Sequence, residues 1–308
     1  MVTTAARNKR RRNSGALFRP TTGDRIFDAC NALFLILLCA VTLYPMYYVI
    51  CAAFSNNIAL LTTPGFLPYP RGFNVGAFRL AFRHPLLVSG YKNILTVLAA
   101  ALPINIVLTL FCGYFMASRD VLLKKPVVAV IMFTMFFSGG MVPTYLNIRS
   151  LGLANSLWSL ILPGAVSVYN SIICKTAIEA VPESLNESAY IDGANDFVIV
   201  FRIVFPLIMP TIAVLLLYYG VAHWNSWFPA SLYIQDRLKL PVQNILRAVL
   251  IANSDILNAA ATENDRIDQF AETIKYAAIV ITTVPVLCIY PFLQRYFIKG
   301  VMIGAVKG

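Results

Sequence analysis

The stretch Glu183–Pro206, ESLNESAYIDGANDFVIVFRIVFP, shows how this chain is organised. It carries Glu183, Glu187, Asp192 and Asp196, although only 13% of the 308 residues are charged. Long apolar runs precede and follow it. A dense group of carboxylates between apolar runs indicates a short polar connector at one face of an otherwise hydrophobic protein.

The composition of the whole chain is that of a membrane protein. Its mean hydropathy is +0.70, and 58% of its residues are hydrophobic, whereas soluble domains are about half apolar and about a quarter charged. Because about 20 apolar residues cross a bilayer, we predict an all-α membrane protein with six transmembrane helices. The predicted spans are Ile26–Phe54, Val88–Ser118, Pro126–Leu146, Asn155–Ala180, Phe205–Pro229 and Ala271–Phe297.

The basic residues predict how the chain is oriented. Lys and Arg are enriched in cytoplasmic loops, and here they concentrate in both terminal tails and in the loop after the second span. With six spans these segments share one side, so we predict that both termini and the acidic connector are cytoplasmic. Residues 1–25 form a basic tail, and 26–308 form one transmembrane domain. The net charge of +11 therefore does not indicate nucleic-acid binding.

The start of the chain does not match a signal peptide. The first apolar run is too long for the core of such a peptide, and no cleavage site with small residues follows it. We therefore interpret this run as a retained first span.

Within the acidic connector, the residue pattern predicts two short helices joined by a corner. Ser184 and Glu187 have the spacing of a capping box, and Gly193 lies where a helix end favours a left-handed residue. Asn195 or Asp196 would cap the second helix. Helices that lie on lipid favour Lys and Arg, so an acidic corner favours a protein partner with a basic groove.

The connector resembles a known family signature. Glu187-Ser188-Ala189, three residues, Gly193, nine residues and Ile203–Pro206 is similar to the pattern E-A-A, three residues, G, nine residues, I-x-L-P. That pattern is typical of permease subunits of binding-protein-dependent ABC importers. The segments Gly152–Pro163 and Phe297–Gly308 resemble the maltose-permease-like carbohydrate branch of these permeases. The similarity covers nearly the whole chain.

The resemblance implies a type I ABC importer permease fold and a mechanism. Residues of about 182–205 would form a coupling helix that docks into a cleft on a cytoplasmic ATPase. Glu187 would pair with a basic residue there, Ala189 would pack into the cleft, and Gly193 would form the corner. Ser188 and Asp192 belong to the same contact.

The resemblance also implies a set of partners in a bacterial cytoplasmic membrane. These are a second, different permease, two ATPase subunits that bind ATP and Mg, an extracytoplasmic binding protein and an oligosaccharide. The chain has no GxxxxGK[ST] phosphate loop. We therefore expect that it is not an enzyme and holds no cofactor, and that ATP is hydrolysed on the partner.

Aromatic and polar residues within the spans are candidates for the substrate pathway, because sugars stack on aromatic rings and hydrogen-bond to polar side chains. His223, Trp224 and Asn225 form the densest group. The alternative is that these residues belong to the core or to an interfacial aromatic belt. The candidates that we select are Tyr47, Tyr145, Tyr169, Asn170, His223, Trp224 and Asn225. Other aromatic residues within the spans also fit this pattern: Tyr44, Tyr48, Tyr114, Trp158, Tyr218, Tyr219 and Trp227.

A basic segment lies on the predicted outer side. Ser55 to Lys92 contains no Asp or Glu but includes Arg71, Arg79 and Arg83. Long loops cross membranes regardless of charge, which would leave these arginines without a role. The alternative hypothesis is that they attract an acidic binding-protein surface or an anionic oligosaccharide such as a uronate chain.

Two other classes of protein fit less well. An ion-coupled secondary transporter needs an acid within a span, and often an inverted repeat, but spans two, three and five contain no Asp or Glu. A membrane enzyme needs convergent catalytic groups. With two histidines and no HExxH motif, we predict neither catalytic residues nor metal ligands.

Overall fold

The computed structural model describes residues 22–62, 65–83, 85–118, 121–251 and 271–305. Within these ranges the chain is helical and contains no strand. Most of the predicted basic tail, residues 1–25, lies outside the described residues. The same holds for residues 252–270, in the second long loop.

The helices are named in chain order. They are α1 Thr22–Ala53, α2 Asn57–Thr62, α3 Gly76–Arg83, α4 Pro85–Ala117, α5 Lys124–Phe136, α6 Met141–Ser150, α7 Trp158–Ile161, α8 Val168–Glu179, α9 Glu183–Ile191, α10 Asp196–Leu207, α11 Met209–Trp224, α12 Trp227–Tyr233, α13 Val242–Ile251 and α14 Ala271–Ala305. The middle of α10, Ile199–Val204, is a π-helix. A 3₁₀ turn, Arg237–Lys239, precedes α13.

Helices α1 and α4 are long and apolar enough to cross a membrane unbroken. They contain 32 and 33 residues, which at about 1.5 Å per residue exceeds a hydrocarbon core of about 30 Å. They match the first two predicted spans to within a few residues. Helix α14 begins where the sixth predicted span begins, at Ala271.

The third, fourth and fifth predicted spans are each broken into two helices. The third is bent by 114° between α5 and α6, where Gly140 has a φ of +86°. The fourth is interrupted between α7 and α8, next to Pro163 and Gly164. The fifth is bent by 87° at Ile208, between α10 and α11. If each bent pair is one span, the described residues contain up to four candidate spans, so the count of six stays a prediction.

Helix α4 is the centre of the described fold and packs against α8, α11 and α13. Two of its glycines allow close approach of a neighbour. A Cβ at Gly113 would lie 2.9 Å from Cys174 Cβ on α8, and a Cβ at Gly90 would lie 3.0 Å from Val242 Cα on α13. Small residues at such contacts are typical of helices that pack in membranes.

The break between α7 and α8 is held by polar side chains from α4 and α11. Asn105 is fully buried, and its Nδ2 donates to the carbonyl oxygens of Gly164 and Ala165 at 3.0 and 3.2 Å. The Tyr219 hydroxyl accepts from the Ser167 amide at 2.9 Å and lies 2.6 Å from Thr109 Oγ1. Backbone groups that a broken helix leaves free in a membrane need such partners.

Replacing Tyr219 by Phe should therefore destabilise the fold. The change leaves the partly buried Ser167 amide and the buried Thr109 hydroxyl without their partner, which costs about 1–3 kcal/mol. The measurement is thermal unfolding of the purified protein in detergent. Tyr218→Phe is the matched control, because Tyr218 is partly exposed. Equal melting temperatures for the two variants would contradict the role of Tyr219.

Candidate functional site

The first helix of the acidic connector, α9, begins differently from the prediction. Pro182 occupies the N-cap position, and no side chain caps the helix. Ser184 already lies in the first turn, where its carbonyl oxygen accepts from Ser188 Oγ at 2.8 Å. The predicted capping box is therefore wrong, because the helix starts too early for the Ser184 hydroxyl to reach a free amide.

The corner itself is confirmed. Gly193 has a φ of +79°, and the Ala194 amide donates back to the Ala189 carbonyl at 2.9 Å, as in a Schellman motif. Asn195 Oδ1 then accepts from the Val198 amide at 3.0 Å and caps α10. We name the segment Glu183–Asp196 the acidic turn.

Tyr114 attaches the acidic turn to the end of α4, and Tyr190 shares its acceptor within the turn. Asp196 Oδ1 accepts from the Tyr190 hydroxyl at 2.5 Å and from the Tyr114 hydroxyl at 3.1 Å. The bond to Asp196 raises the pKa of Tyr190 above its ordinary 10.0. Tyr114 lies one turn before the end of α4 at Ala117. Sequence reasoning missed this attachment, because Tyr114 and Asp196 are far apart along the chain.

The outward face of α9 combines acidic and apolar side chains. Glu183, Glu187 and Ile191 follow one another at intervals of four residues, so they share a face of the helix. Ser188 and Asp192 are also exposed. Ile191 is 86% exposed, an unusual state for a large apolar residue beside two carboxylates. Ile191 was not among the predicted site residues, although its spacing from Glu187 was the available signal.

Ala189 lies on the opposite face of α9. It is 8% exposed and belongs to a core cluster with Ile178, Val200 and other residues of this chain. The expectation that Ala189 packs into a cleft of a partner stays a prediction, while within this chain its methyl group is already largely covered.

The basic segment lies at the other end of α4. Helix α3 ends at Arg83, directly before α4 begins at Pro85, and the 33 residues of α4 separate α3 from the acidic turn. Arg79 and Arg83 are one turn apart and exposed, while Ala77 and Ala81 of the same helix are buried. Helix α3 therefore presents two cations side by side.

Arg71 differs from these two arginines. Its Nη2 donates to the Phe66 carbonyl at 3.3 Å, and its backbone amide donates to Ser55 Oγ at 3.0 Å. It therefore helps to hold the loop between α2 and α3, in addition to its charge.

Further cations lie at this end of α4. The Asn93 side chain donates to the Leu238 carbonyl at 2.7 Å, which brings the segment before α13 to the start of α4. Among the side chains that the structure describes at this end, Asp236 is the single acid, and it lies 3.9 Å from Lys239. Residues 252–270, outside the described ranges, contain four more acids. The exposed cations are Arg79, Arg83, Lys92, Arg237, Lys239 and Arg247.

The predicted sugar cluster does not form one site. His223 and Trp224 are both 6% exposed; His223 Nε2 lies 3.3 Å from Asn105 Oδ1, and Trp224 packs beside Tyr91. Asn225 is exposed, and its side chain donates to the Val221 carbonyl of its own helix. Trp224 is therefore core rather than belt, and His223 belongs to the polar contacts of α4.

The remaining pathway candidates are spread over three helices, α1, α6 and α8. Asn170 is buried in α8. Tyr47 on α1 is exposed and donates to the Pro68 carbonyl at 2.7 Å. Tyr145 faces Tyr233, and Tyr169 faces Tyr218, with ring centroids 6.3 and 6.4 Å apart. A role in substrate contact stays a prediction for each of them. Within the described residues no group of three His, Cys, Asp or Glu side chains is placed to hold a metal.

The helical fold, the acidic turn and its glycine corner define the class of this protein. Residues 94–303 match the family described as "Binding-protein-dependent transport system inner membrane component", and the chain belongs to this family. It is thus a permease subunit of an importer. This argues against the ion-coupled secondary transporter that the sequence left as an alternative.

Similar proteins include two from Bacillus subtilis. The polygalacturonan/rhamnogalacturonan transport system permease protein YtcP is 38% identical, over 92% of this chain and 99% of its own length. Protein LplC is 40% identical, over 94% of this chain and 97% of its own. Among solved structures, a bacterial ABC transporter involved in the import of the acidic polysaccharide alginate has a TM-score of 0.82 and 26% identity, over 90% of this chain and 99% of its own.

Substitution of Gly193 tests the corner. A Cβ there would meet nothing within 4 Å, so Gly193→Ala adds only the backbone strain of a left-handed alanine, about 1–2 kcal/mol. Gly193→Asn should destabilise the protein less than Gly193→Ala, because asparagine tolerates the left-handed conformation. Thermal unfolding measures both. Gly220→Ala, in the interior of α11, is the control and should not destabilise, because alanine favours helix. A Gly193→Ala variant as stable as wild type would contradict the assignment.

Proposed function

We propose that this chain is the transmembrane subunit of an ATP-driven importer for acidic oligosaccharides. It would cross a bacterial cytoplasmic membrane six times, with both termini in the cytoplasm, beside a second and different permease. Family membership supports the importer, and the relatives named for polygalacturonan/rhamnogalacturonan transport and alginate import support the acidic substrate. An extracytoplasmic binding protein would deliver the oligosaccharide.

In this proposal the acidic turn couples ATP hydrolysis to the membrane helices. ATP and Mg bind to two partner ATPase subunits, and this chain contributes the docking surface. Ile191 enters an apolar cleft, and Glu187 pairs with a basic residue at its rim. Because Asp196 is bonded to Tyr114, a movement of the docked turn is passed directly to α4.

The observation that best supports an acidic substrate is the pair of exposed arginines, Arg79 and Arg83. It lies at the end of α4 opposite the acidic turn, which places it on the outer side if the acidic turn is cytoplasmic. Exposed cations at an outer opening raise the local concentration of an anionic ligand and speed its capture. A neutral sugar would gain nothing from them.

The coupling proposal predicts that Ile191→Ser and Glu187→Gln release the ATPase without unfolding the chain. Both side chains are exposed, so their loss removes docking contacts rather than core packing. The measurement is recovery of the ATPase with the tagged permease in mild detergent, together with ATP-driven uptake. Leu122→Ser is the control, because Leu122 is 88% exposed just beyond the end of α4. Full recovery of the ATPase with both variants would contradict the coupling proposal.

The substrate proposal predicts that Arg79→Gln with Arg83→Gln slows uptake of an acidic oligosaccharide. We expect a fall of about tenfold at low salt, and a smaller fall at physiological salt, because screening weakens the attraction. Uptake of a labelled galacturonate oligomer into proteoliposomes measures the effect. Lys125→Gln, exposed at the start of α5 beyond the opposite end of α4, should leave uptake unchanged. Equal uptake by the double variant and wild type at every salt concentration would remove the electrostatic role.

A further inference from the structure

A cavity of about 340 Å³ lies among α4, α7 and the 3₁₀ turn before α13. Ala100 and Ile161 give it an apolar wall, and Thr96, Ser156, Trp158 and Lys239 bring polar and aromatic groups to it. An apolar cavity with a few converging polar groups is the usual form of a small-ligand site. Among these residues only Trp158 was a candidate for substrate contact from the sequence, and none belongs to the basic pair on α3.

Trp158 presents a free aromatic surface to this cavity. It is 47% exposed, although the next three residues along the chain, Ser159, Leu160 and Ile161, are all buried. Its backbone amide is held by Ser156 Oγ at 3.3 Å, which fixes the start of α7. The backbone at Trp158 is thus held in place, and its partly exposed side chain lines the cavity.

Lys239 supplies a positioned cation at the same cavity. Asn155 has a left-handed φ of +57°, and its carbonyl oxygen accepts from Lys239 Nζ at 3.2 Å. Asn155 Oδ1 accepts from the amides of Gln235 and Asp236 at 3.2 and 3.0 Å, which ties the two loops together. Asp236 Oδ2 is 3.9 Å from the amine. An ammonium group has three donors, so Lys239 can bind a further acceptor.

We propose that this cavity is a subsite for one uronate unit of the transported oligosaccharide, with the sugar ring stacked on Trp158 and its carboxylate bound by Lys239. The inference rests on the proposed function and specifies where on this chain the acidic sugar is held. An anionic lipid headgroup shares the negative charge but has no sugar ring that would use the exposed indole face. The two residues therefore favour a charged sugar over a lipid.

The test uses the complete reconstituted importer with its ATPase and binding protein, in vesicles of phosphatidylcholine alone. The substrates are a galacturonate trimer and its neutral methyl-esterified form. Lys239→Met should raise the KM for the acidic trimer about tenfold, as expected for loss of one charge-assisted hydrogen bond, and leave the KM for the neutral trimer unchanged. Lys239→Arg should restore the acidic preference.

The contribution of Trp158 to substrate binding should not depend on the charge of the trimer. Trp158→Leu should raise the KM for both trimers, whereas Trp158→Phe, which keeps an aromatic ring, should retain most of the wild-type affinity. Arg237→Met is the control, because Arg237 is exposed on the same 3₁₀ turn as Lys239 but does not line the cavity. Recovery of the assembled complex is measured for each variant, so that a folding defect is distinguished from a binding defect.

The outcomes separate this inference from the proposed function. If the wild-type importer transports the acidic trimer but Lys239→Met and Trp158→Leu leave both KM values unchanged, the subsite is overturned and the proposed function stands. If the effect of Lys239→Met appears only after anionic lipid is added, the cavity binds a headgroup and the subsite is likewise overturned. If the wild-type importer accepts no acidic oligosaccharide, both proposals fail.

Discussion

The fold depends on the contacts that close the break between α7 and α8. A helix interrupted inside a membrane exposes amide and carbonyl groups that lipid cannot satisfy. Here Asn105 and Tyr219 provide the missing partners from the neighbouring helices α4 and α11. The carbonyl groups of Gly164 and Ala165 and the amide of Ser167 are thereby hydrogen-bonded, although the helix is interrupted. These few polar side chains allow the fourth predicted span to be broken without loss of the fold.

The same helix, α4, connects the two ends of the described structure. Near its start, Asn93 and Gly90 hold the segment around α13, and near its end Tyr114 bonds to Asp196 of the acidic turn. A force applied at the acidic turn therefore acts on the helix that also borders the basic end and the cavity beside Trp158. This is the geometry expected of a subunit in which a cytoplasmic event changes access from the other side.

Sequence patterns predicted local features well and contacts poorly. Gly193 and Asn195 were predicted correctly, because a helix end and a helix cap depend on residues only a few positions apart. The burial of Ala189 and the separate environments of His223, Trp224 and Asn225 were not predicted, because they depend on which face of a helix meets a neighbour. The break within the span from Asn155 to Ala180 was not predicted either. Its hydropathy is that of a span, but the partners that permit a break come from Asn105 and Tyr219, distant in sequence.

The sequence by itself determined that this protein is a helical membrane protein and that its acidic connector turns at Gly193. Composition, hydropathy and short-range spacing decide these two properties, because each property depends only on the residues of one segment and on the solvent around it. Only the tertiary structure decided that Ile191 rather than Ala189 faces outward, that Asp196 is bonded to α4, and that Trp158 and Lys239 border one cavity. Each of these requires helices remote in sequence to pack together, and the energy of such contacts depends on a geometry that no local pattern contains.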